Sequence, residues 1–146
     1  MSRRQIVIDG LFLTSLLSIV YLTMFPNMYL GTGIAKGGHN FTPFLIIKKI
    51  FLDGSVFSAI INNIGNIVMF IPFGVFYSLS FPKRNAFRTV LLAGAGLSCS
   101  IEMMQWFMEN RWSDIDDLIL NTFGTVLGYG IFRGFREMKK RISIFL

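Results

Sequence analysis

The stretch VFSAIINNIGNIVMFIPFGVFYSLSF, residues 56–81, decides the fold. It contains no Lys, Arg, Asp or Glu, and a helix needs only about 20 apolar residues to cross the hydrocarbon core of a bilayer. Three asparagines interrupt it: Asn62, Asn63 and Asn66. An amide in lipid needs a partner or a water-lined cavity, so each is a marker of function or of helix–helix bonding. Asn62 and Asn66 lie four apart and share a helix face. They are read either as amides that bind a head group or orient a carboxylate, or as interhelical hydrogen bonds. The second reading is favoured for Asn63. Further along, Pro72 in Phe70-Ile71-Pro72-Phe73-Gly74 removes a backbone donor and predicts a kink.

Outward from this stretch, three more segments are long enough to span: residues 6–30, 86–108 and 114–135. The whole chain agrees with them. Of its 146 residues, 53% are hydrophobic and 15% charged, and its mean hydropathy of +0.58 excludes an ordinary soluble domain. The expectation is one domain over residues 1–146, an all-α membrane protein built as a bundle of about four transmembrane helices. Residues 6–30 exceed the apolar core of a signal peptide and lack small-residue cleavage chemistry, so they are read as a retained helix, a cleaved signal being the alternative. Gly37-Gly38 should break any helix in the loop 31–40. Residues 41–52, with Lys48 and Lys49, suit a short interfacial helix between the first two spans.

Cations set the orientation. The net charge of +6 is read as topological rather than as a nucleic-acid surface, since no basic–aromatic pattern accompanies it. In a four-span chain, ten of the fourteen Lys and Arg residues, at positions 3–4, 83–88 and 133–141, fall on one side. Both termini are therefore expected in the cytoplasm, which places the loops 31–55 and 109–113 outside. That orientation brings three sets of polar residues to one depth near the outer leaflet: Asn62, Asn63 and Asn66, then Glu102 and Gln105, then Asp116, Asp117 and Asn121.

Each set has a bland and a sharp reading. Glu102 and Gln105 share a face. A carboxylate at that depth is either protonated or paired with a cation, and Arg111 is the nearest partner for a buried lock. Alternatively Glu102 is a ligand site, a general acid or base, or a proton-coupling group. Ser113 with Asp116 resembles a helix-capping start, which accounts for Asp114 and Asp116 as first-turn acids. Asp117 and Asn121 continue onto Gly124 and Gly128, one face of a helix with a close-contact G-x-x-x-G pair, and Gly130 and Gly134 form a second. Cys99 is the sole cysteine and His39 the sole histidine, so no disulfide, zinc cluster or Ser–His–Asp set is expected. No metal or cofactor is expected, a carboxylate-only divalent site at Glu102, Asp114 and Asp117 being the remaining metal alternative.

The ordered set Asn40-Phe41-Thr42-Pro43-Phe44, Asn62-x-x-Gly65-Asn66, Pro72-Phe73-Gly74, Glu102-x-x-Gln105, Arg111-x-x-Asp114-x-x-Asp117 and Asn121-x-x-Gly124-x-x-x-Gly128 resembles the VanZ-like family of small bacterial membrane proteins. The resemblance covers residues 40–134. It implies a four-helix-type membrane domain, and its founding member is linked to low-level resistance to teicoplanin, a lipoglycopeptide that acts at the outer membrane surface. Carried onto this chain, the family pattern falls on Asn40, Pro43, Asn66, Pro72, Gly74, Glu102, Gln105, Arg111, Asp114, Asp117, Asn121 and Gly124.

The functional expectation is an outward-facing polar cleft formed by Asn40, Asn62, Asn66, Glu102, Gln105, Arg111, Asp114, Asp117 and Asn121. It would bind a lipid head group, a lipid-linked wall precursor or the drug. Two alternatives stand beside it: an intramembrane enzyme using Glu102 and Asp117 for acid–base chemistry on a lipid-linked substrate, and a small ion-coupled transporter. Expected partners are membrane lipids, a lipid-linked cell-wall precursor or lipoglycopeptide, and a second copy of the chain, with no nucleic acid.

Overall fold

Ser2 opens the first helix by accepting the Gln5 amide on its hydroxyl at 3.2 Å, which satisfies one of the orphan donors of a first turn. The computed structural model describes residues 2–25, 37–44, 56–84 and 86–145, with the backbone alone for residues 56–62 and 143–145. Its helices are α1 (Arg3–Met24), α2 (Val56–Ser80), α3 (Phe87–Trp106) and α4 (Ile115–Phe145), with a short 3-10 turn at Pro82–Arg84. The second and third match the expected spans within two residues. The first is displaced: it ends at Met24 rather than near residue 30, and Phe25 closes it in extended geometry. Pro26 explains the stop, because a proline drives the residue before it out of the helical region. The fourth outruns its expected end at 135 and continues to Phe145, since Arg136-Glu137-Met138-Lys139-Lys140-Arg141 are good helix formers.

Among the described residues, three helical segments are long and apolar enough to cross a membrane: Arg3–Met24, Asn63–Ser80 and Phe87–Trp106. Their outer faces carry exposed leucines such as Leu13, Leu17 and Leu92, which suits contact with lipid rather than water. Between them sits a small core of Ile19, Phe70, Phe73 and Ile101. Phe12 of α1 extends it, lying 5.7 Å from Phe73 and 5.5 Å from Phe81, ring centre to ring centre.

The most extensive packing joins α2 to α4. A side-chain carbon added at Gly124 would strike the Ile67 carbonyl, one at Gly128 the Ile71 carbonyl, and one at Gly74 the Thr125 carbonyl. The two backbones therefore touch, as small residues allow when no hydrophobic drive separates helix from lipid. Gly130 and Gly134 face open space, so only the first G-x-x-x-G pair is a contact. The α2 helix runs through Pro72 without ending there.

One element departs from an all-helical bundle. Gly38–Asn40 (β1) and Trp112–Asp114 (β2) form a two-stranded parallel ladder that pairs Gly38 with Trp112, His39 with Ser113 and Asn40 with Asp114. Both segments were expected as loop, apart from Asp114 as the start of the fourth span, because three residues are too few for strand alternation to show. The expected interfacial helix at 41–52 is described only to residue 44, where Thr42–Phe44 form a turn, and the rest of it lies outside the described residues.

Candidate functional site

The ladder fixes where Asp114 sits, and Asp114 organises what surrounds it. Its backbone amide donates to Glu102 Oε2 at 2.7 Å. Its own Oδ1 accepts from the Asp116 amide at 2.9 Å and from Asn40 Nδ2 at 2.8 Å. Asp114 is thus the cap of α4, where Ser113 was expected. The ladder explains the exchange: it holds Ser113 opposite His39 and leaves Asp114 as the last residue before the helix, the position from which a carboxylate reaches the second helical amide.

Asn40 has a second duty. Its Oδ1 accepts the Thr42 amide at 3.0 Å, a side-chain turn that bends the chain into Pro43. Phe44 then lies at φ 62°, a left-handed conformation that is uncommon for a residue with a side chain. Its amide is held by Asp116 Oδ1 at 2.6 Å. Two α4 carboxylates therefore grip the Asn40–Phe44 turn. Backbone strain held by surrounding bonds is found most often where a surface is shaped for use.

Asn66 of α2 joins the same end, donating from Nδ2 to Asp117 Oδ1 at 2.5 Å. One turn further into the bundle, Asn121 Nδ2 donates to Ser98 Oγ at 3.0 Å, with both side chains fully buried. Ser98, Glu102 and Gln105 lie on one face of α3 by their spacing. Asn62 lies in α2, but its side chain is outside the described residues. Asn63 is half-buried with an unpartnered Oδ1.

Gln105 and Arg111 go elsewhere. Gln105 Nε2 donates to the Thr23 carbonyl at 3.0 Å, and an Arg111 amino group donates to the Phe25 carbonyl. Together they cover carbonyls that the end of α1 leaves without helical partners. The expected Glu102–Arg111 lock is absent, and the ion pair found among the described residues is Lys140–Glu137 at 3.4 Å. Burial moves the Arg111 guanidinium pKa down from its ordinary value, although arginine stays charged in proteins. Gln105 Oε1 and Arg111 Nε are buried without partners. Gly37 fits here because its Cβ position is filled by the Arg111 backbone, and its amide donates to the Glu109 carbonyl at 2.7 Å.

Beside the cluster is an open pocket of about 270 Å³ between the end of α3 and the start of α4. Phe41, Cys99, Met103, Trp106 and Leu118 form its apolar walls, and Glu102, Ser113 and Asp114 border it beside the cluster. Glu102 is 8% exposed. Trp106 anchors one side, stacked on His39 with ring centres 4.2 Å apart and tilted against Phe41 at 5.2 Å. None of the described lining residues is a cation. Among the described residues, no group of three His, Cys, Asp or Glu side chains could hold a metal ion.

Of the residues read from the sequence, Asn40, Asn66, Glu102, Asp114 and Asp117 meet at one end, Asn121 lies just below, and Gln105 and Arg111 tie α1 to that end. Sequence reasoning missed Ser98, Trp106, His39 and the bonding role of Asp116. For Ser98 the signal was present, four residues before Glu102.

Apolar helices that gather amides and carboxylates at one end define a small helical integral membrane protein with a buried polar cluster. The chain belongs to the VanZ/LLP1 family, whose model matches residues 12–136. It is also similar to Protein VanZ of Enterococcus faecium, with 28% identity over 150 residues that cover 97% of this chain and 86% of that protein. No solved structure matches it.

Proposed function

We propose that this chain is a multi-pass membrane protein that lowers susceptibility to lipoglycopeptides of the teicoplanin type by binding an amphiphile at its outer end. In this reading α4 is the fourth span, both termini are cytoplasmic and residues 41–52 lie along the interface. The position of the cations supports it. Arg3 and Arg4 start α1, Lys83 and Arg84 follow α2, Arg88 starts α3, and α4 ends in a cationic run, while the polar cluster lies at the opposite end. The positive-inside rule then turns the cluster outward.

The observation that carries the binding reading is Glu102: a buried carboxylate bordering an apolar pocket, with no ion-pair partner among the described residues. Such a pocket suits a ligand with an apolar body and a hydrogen-bonding or cationic head, a description met by a lipid head group, a lipid-linked wall precursor and the drug. The acid–base reading has less support. Asp117 is held by Asn66 on the α2 side rather than lining the pocket with Glu102.

The test is teicoplanin susceptibility in cells expressing the wild type, Glu102→Gln or Asp117→Asn at matched membrane levels. Protection by the wild type that falls in both variants supports the binding site. Undiminished protection in both variants refutes it.

A further inference from the structure

The seam that packs α4 on α2 does not stop where α2 stops. Gly124 meets Ile67 and Gly128 meets Ile71, so the contact climbs both helices together, the two run parallel, and α2 is exhausted at Ser80 about two turns later. The same alternation of four and three residues continues along α4 through Ile131, Phe135, Met138 and Ile142. Past the end of α2 these side chains have nothing to pack on: Phe135 is 65% exposed, Met138 53% and Ile142 61%. At 100° per residue the four fall within an arc of about 60°. The remaining circumference carries Arg133, Arg136, Lys139, Lys140 and Arg141 against a single carboxylate, Glu137. Five cations and one anion leave this segment at +4.

Length says where it lies. The 31 residues of α4 extend about 46 Å at 1.5 Å per residue, against a hydrocarbon core of about 30 Å. With α4 as the fourth span of the topology proposed above, some ten residues emerge at head-group level, beside Lys83, Arg84 and the start of α3. Two coverings would suit an apolar stripe: a second copy, or the membrane. Charge decides between them, because pairing two stripes would bring two +4 segments together, whereas an anionic surface is attracted to both. Lys139 and Arg141 flank the stripe, where long side chains lay their stems along apolar surface and send their charges to phosphates. The family match ends at residue 136, so most of this arm lies beyond the matched region.

We infer that residues 133–142 form an amphipathic arm that docks on anionic phospholipid at the membrane face opposite the polar cluster. The arm leans so that Phe135, Met138 and Ile142 enter the acyl boundary while the cations bind the head groups.

The test uses the full chain in nanodiscs of phosphatidylcholine, with and without phosphatidylglycerol. A spin label is placed at Met138→Cys in a Cys99→Ser background, and its accessibility to oxygen is compared with that to a water-soluble nickel chelate. Phosphatidylglycerol should raise the oxygen-to-nickel ratio about fivefold, and Lys139→Glu with Lys140→Glu should abolish the rise. Because the arm projects from the bundle, those reversals should leave the melting of the rest unchanged. An equal ratio in the two lipids overturns the inference. So does dipolar broadening between labels, which would identify a second copy as the covering.

Discussion

The two ends of α4's contact with the bundle are built on opposite principles. Along the α2 seam, Gly124, Gly128 and Gly74 bring backbones into touch and leave no room for anything else. At the polar end, the start of the same helix gathers three carboxylates, a strained turn, a short ladder and an adjoining open pocket. The seam is fixed by shape and tolerates no added atoms. The polar end is fixed by directed hydrogen bonds around a space. A part that only holds a membrane bundle together has no need of the second design, because van der Waals packing of small residues already supplies association in lipid. The contrast supports stability in the seam and the proposed ligand contact at the polar end.

That division can be broken by substitution. The largest stability loss belongs in the seam: Gly128→Leu should cost at least about 3 kcal/mol, because the new side chain meets the Ile71 carbonyl and the α2 backbone. Thermal melting in detergent measures it, and Gly130→Leu, which faces open space, is the paired control and should change stability by under about 1 kcal/mol. A similar loss at both positions would show that the seam is not where the bundle is held. Next is Asn66→Leu, which strips the amide from the Asp117 carboxylate and should cost about 1–3 kcal/mol. A denaturant or detergent unfolding curve that does not move would place that bond outside the fold's energetics. Gln105→Ala, which uncovers the Thr23 carbonyl, should cost about 1 kcal/mol and loosen the end of α1 first. Faster amide exchange in the last turn of α1 is the signature to seek. The smallest effect is expected from Asn121→Ala, about 0.6 kcal/mol, the size of an average side-chain hydrogen bond inside a membrane.

How much of this was legible in the sequence follows the same divide. Helical segments show in hydropathy over some twenty residues, so α2 and α3 were placed within two residues of their ends. Where α1 stops was also written locally, in Phe25-Pro26, but its apolar run to Leu30 masked the signal. The Gly124–Gly128 contact was legible as a small-residue pattern, whereas Gly130–Gly134 has the same pattern and no partner. A motif cannot report what lies opposite it. The polar residues could be assigned to one depth from charge asymmetry alone. Their bonding could not, because it depends on a ladder of three-residue strands, too short for any periodicity. That ladder moved the α4 cap from Ser113 to Asp114. Arg111 likewise went to the end of α1 rather than to Glu102, where nearness in sequence had suggested a lock.

Glu102 is where the two designs separate most sharply. Its side chain accepts the Asp114 amide, and glutamine in its place keeps an acceptor, so Glu102→Gln should shift stability by under about 1 kcal/mol. The decisive measurement is native mass spectrometry of purified wild type and Glu102→Gln mixed with teicoplanin, and of the lipids each retains from the membrane, at matched melting temperatures. The expected result is a ligand-bound species in the wild type that is lost in Glu102→Gln while the fold is kept. Equal occupancy in the two proteins would contradict the proposed ligand contact at the polar end.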